Sequence, residues 1–146
     1  MAGFKVLRNL VESNTKSVPI SAQTVLVGDL LERTAGATTW QVCTSSTDHF
    51  TRKAVALAPA SASDSEVLVY ELNGTEDVEV ESANSSSASH NGDRMALTDK
   101  NTVNNSGSDV TGQAVAFVQD GVVGAATDLR IVGRVLVGNG VDPDAS

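Results

Sequence analysis

The chain has 146 residues and a mass of 15.1 kDa, a size at which one globular domain can bury a core and a large multidomain enzyme is excluded. Ten Lys and Arg stand against eighteen Asp and Glu, and the net charge of −8 leaves no surplus of cations for a phosphate backbone, which disfavours nucleic-acid binding. No window approaches the roughly 20 consecutive apolar residues of a membrane helix, so we expect no membrane span.

The first predicted element is the apolar segment Phe4–Val11. Phe4, Leu7 and Val11 fit one face of a helix, but a short extended arm explains the pattern equally well. The first sixteen residues carry three bases and one acid, although the chain as a whole is acidic. A mildly basic and apolar segment of this kind predicts an arm that binds another protein surface. Its candidate contact residues are Phe4, Lys5, Val6, Leu7, Arg8, Leu10 and Val11.

The remainder of the chain is typical of short strands. Val and Thr, which favour strands, account for 21 and 13 residues, and glycines separate the apolar runs. Strands are predicted at Thr24–Val27, Leu30–Arg33, Trp40–Cys43, Lys53–Ala58, Glu66–Leu72, Asp77–Glu81, Met95–Thr98, Ala114–Val118 and Leu129–Val137. Turn signals that recur between segments of this length are typical of an all-β barrel or sandwich. We therefore predict an all-β fold with a small β-barrel.

Two glycine turns predict hairpins. Asn73-Gly74 separates the strands at Glu66–Leu72 and Asp77–Glu81, and Gln119–Gly121 leads into a short return strand at Val122-Val123. In the strand after the first turn, valines alternate with acids, which predicts one buried and one exposed face. The buried residues would be Val78 and Val80, and the exposed acids Asp77, Glu79 and Glu81.

The predicted organisation is an N-terminal arm at residues 1–20, a β-rich body at 21–138 and a flexible acidic tail at 139–146. Ser82–Gly92 holds five serines and little apolar surface, so it predicts a loop and a weak internal division of the body. A faint repeat supports two similar β sub-modules, because the order of glycine turn, strands, Thr-Asp turn and closing strand occurs twice. The alternative left open is a single barrel with one elaborated half.

No residue pattern indicates catalysis, a cofactor or a metal. His49 and His90 lie far apart and have no cysteine partner at zinc-ligand spacing, which predicts solvated loop histidines. Cys43 ends a predicted strand, where we expect a small buried side chain and not a nucleophile. A lone cysteine and the lack of an apolar signal segment predict synthesis and retention in the cytosol. We therefore expect no enzyme and no catalytic, cofactor-binding or metal-binding residues.

Several runs of the chain together resemble a known family. They are Gly28–Glu32, Ala54–Ala58, Glu66–Val69, Gly112–Gly124 and Leu129–Leu136. In pattern and composition these runs are similar to the head decoration (cement) proteins of tailed bacteriophages, the lambda-type proteins and their relatives, over residues 20–138. The resemblance implies a compact β-barrel or β-tulip-like body and homotrimers at threefold and quasi-threefold sites of the expanded head. It also implies an N-terminal arm that binds the major capsid protein, with no catalysis and no cofactor.

The expected function is therefore that of a virion structural protein on the outer surface of the capsid, synthesised in the host cytoplasm. Two alternatives belong to other classes. One is a different virion surface protein, such as a fibre or a host-binding knob, which would expose aromatic or charged loops. The other is a small trimeric β-barrel enzyme with a site between subunits, for which a recognisable group of polar residues would be expected.

Overall fold

The computed structural model describes residues 3–8, 10, 12–105 and 114–140. The strands in these ranges are β1 (Lys5–Arg8), β2 (Thr15–Pro19), β3 (Leu30–Arg33), β4 (Gln41–Val42), β5 (Arg52–Ala56), β6 (Glu66–Glu71), β7 (Asp77–Ser82), β8 (Arg94–Asp99), β9 (Thr102–Asn104), β10 (Phe117–Val122) and β11 (Arg130–Val135). Single-turn 3₁₀ helices span Glu12–Asn14, Ala88–His90 and Ala126–Asp128. The predicted all-β class with a small barrel is confirmed.

One sheet closes on itself. Its hydrogen-bonded order is β1-β7-β11-β10-β8-β9, and β9 returns to pair in parallel with β7. The pairs Glu81 with Thr102 and Ser82 with Val103 close a five-stranded barrel, hereafter the closed barrel. β1 pairs with the first half of β7, antiparallel. Closure pairs the strand edges that an open sheet would expose to other chains.

Strands β2 to β6 form the second sheet, in the order β2-β6-β5-β3-β4 with antiparallel neighbours throughout. Its outer strands approach each other at a single bridge between Ile20 and Trp40. There the Trp40 backbone N–H donates to the carbonyl oxygen of Pro19 at 2.9 Å. The second sheet is therefore strongly curved, with an inner and an outer face.

Two hydrophobic cores follow from the two-residue period of the strands. Leu30 and Val55 lie on the outer face of the second sheet and belong to the core that also fills the closed barrel. Their chain neighbours Leu31 and Ala54 belong to the core enclosed by the second sheet. Strands covered on both faces need consecutive apolar residues, which explains why these runs do not alternate with polar residues.

Asn73-Gly74 is a corner between the two sheets and not a hairpin. β6 belongs to the second sheet and β7 to the closed barrel, so the predicted pairing of these strands was wrong. The carboxylate of Glu76, 1% exposed, accepts hydrogen bonds from the N–H groups of Asn73 and Gly74 at 3.0 Å and stabilises the corner. The change of sheet falls here and not at residues 82–92, where the sequence predicted a division.

Two other predicted elements differ. Asp120 and Gly121 lie inside β10. Asp120 falls at a β-bulge between the pairs Gln119 with Gly133 and Gly121 with Val132, so the predicted return strand is absent from the described chain. Thr24–Val27 is not a strand: Val25 makes a single bridge to Ala60, and the chain then turns. In both places the extent of the strand depends on which partner strand is present, and not on the local sequence.

The Ser-rich segment Ser82–Gly92 is ordered by hydrogen bonds to a fully buried glutamine in the closed barrel. The side-chain oxygen of Gln119 accepts a hydrogen bond from Ser86 Oγ at 2.6 Å. Its Nε2 donates to the carbonyl oxygen of Ser87 at 2.9 Å and to Asn91 Oδ1 at 3.0 Å. The segment has little apolar surface of its own, and this polar contact with the barrel holds it in place.

The C-terminal part of the described chain lies against the second sheet. The Gly138 N–H donates to the carbonyl oxygen of Thr51 at 3.1 Å, and the Gly140 N–H donates to that of Phe50 at 2.8 Å. A Cβ at Gly138 would lie 2.3 Å from the Phe50 oxygen, so only glycine fits this approach. Residues 141–146 of the predicted tail lie outside the described residues.

Candidate functional site

The candidate residue Phe4 is part of the hydrophobic core. It is 3% exposed, and its ring packs edge-on against Phe117 with 6.4 Å between the ring centroids. The Phe4 N–H donates to the carbonyl oxygen of Gly28 at 2.7 Å, and the Gly3 N–H donates to that of Asn101 at 3.0 Å. Phe4 therefore joins the N-terminal segment to both sheets and is closed to a partner.

The remaining candidate residues of the arm differ in exposure. Lys5 is exposed, Val6 and Leu7 are half-buried, and Leu10 is 59% exposed. Arg8 ends β1, and Val11 lies outside the described residues. The segment expected to form a separate arm at residues 1–20 contributes β1 to one sheet and β2 to the other. Lys5 and Leu10 are the members most open to another protein.

A second exposed surface was not found by sequence reasoning. We call it the apolar patch, and it consists of Leu26, Val27, Leu57 and Leu68, which are 53%, 54%, 42% and 42% exposed. The Leu57 N–H donates to the carbonyl oxygen of Leu68 at 2.9 Å, so these two residues are cross-strand neighbours. Leu68 sits in the apolar run Val67–Val69, where the sequence does not reveal which side chain faces outward.

The other half of the apolar patch is a rigid turn. The Asp29 N–H donates to the carbonyl oxygen of Leu26 at 3.0 Å, and Gly28 has φ +91° at the third position, as a type II turn requires. Asp29, 1% exposed, accepts from the Leu26 N–H at 2.8 Å and pairs with Lys100 at 3.0 Å. The Gly28 N–H donates to the carbonyl oxygen of Ala56, beside Leu57, which places the turn next to the sheet part of the patch.

A shallow groove adjoins the apolar patch, and acids lie beside it. The groove has a volume of about 360 Å³ and is lined by Thr24, Val25, Leu26, Pro59, Ala60, Ser61 and Asp64. Asp64 and Glu66 are exposed at this end of the second sheet, and Asp64 accepts from the Ser61 N–H at 2.8 Å. The surface therefore combines large apolar side chains with a negative rim.

A buried polar cluster lies where the second sheet meets the closed barrel. Lys53 is fully buried, and its Nζ donates to the carbonyl oxygens of Asp48, Thr51 and Leu136 at 2.7, 3.0 and 3.0 Å. Burial lowers the pKa of Lys53 to about 8. The three hydrogen bonds use every donor of the ammonium group, so Lys53 links β11 to the second sheet and is not placed to act on a substrate.

Cys43 and Glu32 lie near this lysine. Glu32, 6% exposed, accepts a hydrogen bond from Thr47 Oγ1 at 2.5 Å. Burial, with the nearby charge of Glu32, raises the pKa of the Cys43 thiol well above its usual range. A buried thiol of this kind stays protonated at neutral pH, which agrees with the expected structural role of Cys43.

An ion cluster spans three adjacent strands of the second sheet, β2, β6 and β5. Arg52 donates to Glu71 through Nε at 2.7 Å and Nη2 at 2.9 Å, and Lys16 Nζ lies 2.5 Å from the same carboxylate. Burial opposes the charge of Glu71, but the hydrogen bonds from Lys16 and Arg52 hold its pKa below the usual value. Arg52 also lies over the ring of Trp40, 5.5 Å from its centroid.

The acids of β7 are half-buried and not fully exposed as predicted. Val78 and Val80 are fully buried, so the predicted buried face of β7 is correct. The acids Asp77, Glu79 and Glu81 alternate with them but are partly covered, because β7 has neighbours on both edges. Arg130 on β11 donates to Glu79 at 2.6 Å.

The histidines each pair with an adjacent acid. His49 Nδ1 lies 2.5 Å from Asp48, and His90 Nδ1 lies 3.2 Å from Asp93. Within residues 3–105 and 114–140, as far as they are described, no three His, Cys, Asp or Glu side chains are grouped to hold a metal ion. Nor do those residues contain a helix long and apolar enough to cross a membrane.

Comparison of the chain with protein-family models, curated proteins and solved structures finds no match.

Proposed function

We propose that this chain is a virion structural protein that binds the outer surface of a bacteriophage capsid and stabilises the expanded head. Its partners are the major capsid protein and further copies of the chain, as homotrimers at threefold and quasi-threefold sites. The proposal combines the resemblance of residues 20–138 to head decoration proteins with the all-β barrel fold. It is carried by one structural observation, the apolar patch.

The apolar patch is suited to binding a protein surface. Single exposed apolar residues are ordinary, but four large ones on chain segments joined by backbone hydrogen bonds are a candidate interaction site. Leu26 and Val27 stand on a turn fixed by Asp29, and Leu57 and Leu68 stand on paired backbone of the second sheet. Because this backbone is already ordered, binding would cost little further conformational entropy.

The N-terminal segment supplies a second contact surface in this proposal. Lys5 and Leu10 are exposed, whereas Phe4 fixes the segment to the core. A partner could therefore meet an ordered strand, β1, instead of a loose arm. In a trimer, each surface would be present three times, and the second and third contacts would become intramolecular after the first.

The direct test uses heads of the phage whose major capsid gene lies beside the gene for this chain. Expanded heads lacking the chain are mixed with purified protein, sedimented and imaged by electron microscopy. We expect saturable binding and trimeric density on the outer surface at threefold and quasi-threefold positions. Single copies away from those axes would contradict the trimer, and density on a fibre or tail would favour the alternative virion surface protein. Absence of binding to expanded heads would overturn the proposed function.

A further inference from the structure

We infer that the apolar patch, with its groove and acidic rim, docks an extended protein segment in which apolar side chains are flanked by Lys or Arg. This inference rests on the proposed function, since the partner there is the major capsid protein, and it specifies the chemistry of the segment that is bound. The occupant is deduced from the charges around the patch and from the shape of the surface.

The chain segment that supplies the sheet half of the apolar patch is acidic. Residues 54–93 contain eight Asp and Glu and no Lys or Arg, and this stretch supplies Leu57 and Leu68. Two of its acids, Asp64 and Glu66, are exposed beside the patch. Lys100, at the base of the Leu26–Asp29 turn, is paired with the buried carboxylate of Asp29 at 3.0 Å. Charge complementarity therefore selects a partner segment with basic residues and opposes an acidic one.

The shape of the surface favours a narrow segment. The groove of about 360 Å³ has room for a few side chains and runs beside Leu26 and Pro59. Leu57 and Leu68 continue the apolar surface from the turn across the sheet. An extended segment with spaced apolar side chains can place one in the groove and others on the leucines.

A second copy of this chain is the less suitable occupant. Each copy carries a net charge of −8, so a second body would bring further negative charge against the acidic rim. Contacts between copies in a trimer would then lie elsewhere on the chain. Self-association through the apolar patch is therefore a contrary outcome that the experiment must be able to detect.

The experiment uses the purified full chain and two labelled peptides, each with three leucines spaced by serines. One peptide carries two lysines and the other carries two glutamates at the same positions. Binding is followed by fluorescence anisotropy for the unaltered chain and for the double variant Leu57→Glu, Leu68→Glu. The control with an apolar-to-Glu change outside the patch is Val118→Glu, since Val118 is half-buried on β10 and pairs there with Arg94 and Arg134, which can accommodate a carboxylate. Glu66→Lys tests the rim, and Asp120→Lys on β10 is its control.

We expect the lysine peptide to bind at least about tenfold more tightly than the glutamate peptide. The Leu57 and Leu68 double variant should weaken that binding by about tenfold or more, and Glu66→Lys by about threefold, whereas both controls should change it less than about twofold. Circular dichroism establishes that each variant is folded. If the double variant fails to fold, the comparison of Glu66→Lys with Asp120→Lys decides the matter alone.

Three results would overturn the inference: no preference for the lysine peptide, an equal loss in the controls, or self-association of the chain that the double variant abolishes. The head-binding test separates this failure from failure of the proposed function. Binding to heads with no peptide preference would leave the proposed function standing and remove this inference. Peptide binding at the apolar patch without binding to heads would remove the proposed function and leave the peptide-binding site standing.

Discussion

Polar side chains are buried in two places in this protein, and they are satisfied in different ways. In the closed barrel, Gln119 is neutral and exchanges hydrogen bonds with the segment Ser82–Gly92. Where the closed barrel meets the second sheet, Lys53 places an ammonium group among three carbonyl oxygens. A neutral network holds its partners equally at all moderate pH values, whereas a buried ammonium carries a desolvation cost that depends on pH.

The difference shows that one buried polar group fixes a segment and the other joins two sheets. The hydrogen bonds of Gln119 hold Ser82–Gly92 in a defined position, although this segment has few apolar side chains to bury. Lys53, on a strand of the second sheet, reaches Leu136, which directly follows β11. The following experiments disturb these two regions, the hydrophobic core and the acids of β7, in order of decreasing expected effect.

Val80→Asp should have the largest effect, because it places a carboxylate in the core shared by the closed barrel and the outer face of the second sheet. Val80 is fully buried, and we expect a loss of about 4 kcal/mol or more in the free energy of unfolding, or no folding at all. The matched control is Leu68→Asp, at an exposed strand position flanked by valines, which should change stability by less than about 1 kcal/mol. Urea unfolding measures both, and similar losses would contradict the assignment of the two faces.

Lys53→Ala should be the next most damaging change. It removes three hydrogen bonds and leaves a cavity, and we expect a loss of about 3 kcal/mol. Lys53→Met keeps most of the side-chain volume and should lose less, about 1 to 2 kcal/mol, because the Leu136 carbonyl still loses its donor. Urea unfolding at pH 7 provides the comparison, and equal losses in the two variants would show that volume is unimportant there.

The same variant tests the charge of Lys53. Its pKa is about 8 in the folded protein and 10.5 is the ordinary value, so between these pH values the unfolded chain binds more protons. The contribution of Lys53 to the free energy of unfolding therefore rises with pH across this window. The stability difference between the unaltered chain and Lys53→Met should increase from pH 8 to 10.5. A constant difference would contradict a buried ammonium.

Gln119→Leu should have an intermediate effect. Ser86, Ser87 and Asn91 would lose a buried partner, at a cost of about 1 to 3 kcal/mol. This cost should not vary between pH 8 and 10.5, in contrast to the Lys53→Met difference. Hydrogen exchange should also accelerate within Ser82–Gly92 while β7 remains protected. Unchanged exchange in that segment would contradict the role of Gln119 in ordering it.

The smallest effect is expected from neutralising the three acids of β7 together, as Asp77→Asn, Glu79→Gln and Glu81→Gln. These side chains are half-buried at the outside of the closed barrel, and Gln can still accept a hydrogen bond from Arg130. We expect a change of no more than about 1 kcal/mol in the free energy of unfolding. A much larger loss would mean that these acids belong with the two buried polar regions.

Particular residues show how far the sequence predicts the fold. The alternation around Val78 and Val80 gave the correct buried face, because period two is a local property of a strand. The glycine at position 74 was correctly interpreted as a turn, but the strand that follows it pairs in a different sheet. At Phe4, an apolar residue near a chain terminus was interpreted as a contact residue, and the structure buries it against Phe117.

The candidate site was predictable only in part. Lys5 and Leu10 were named from sequence and are exposed, whereas the apolar patch was not named. In Val67–Val69 and around Leu57 every residue is apolar, so no alternation distinguishes the outward side chains. Their exposure depends on where the closed barrel stops covering the outer face of the second sheet.

The sequence by itself therefore determined the all-β class, most strand positions, the face of β7 and the acidic character of the surface, because each follows from composition or from neighbours along the chain. The tertiary structure alone decided which strands pair, where the sheets change, why Lys53 is buried and which leucines stay exposed. These depend on contacts between residues far apart in sequence, such as Lys53 with Leu136 and Phe4 with Phe117. Local propensity carries no information about those contacts, since the same strand or turn can be used with any partner that completes its hydrogen bonds and covers its apolar face.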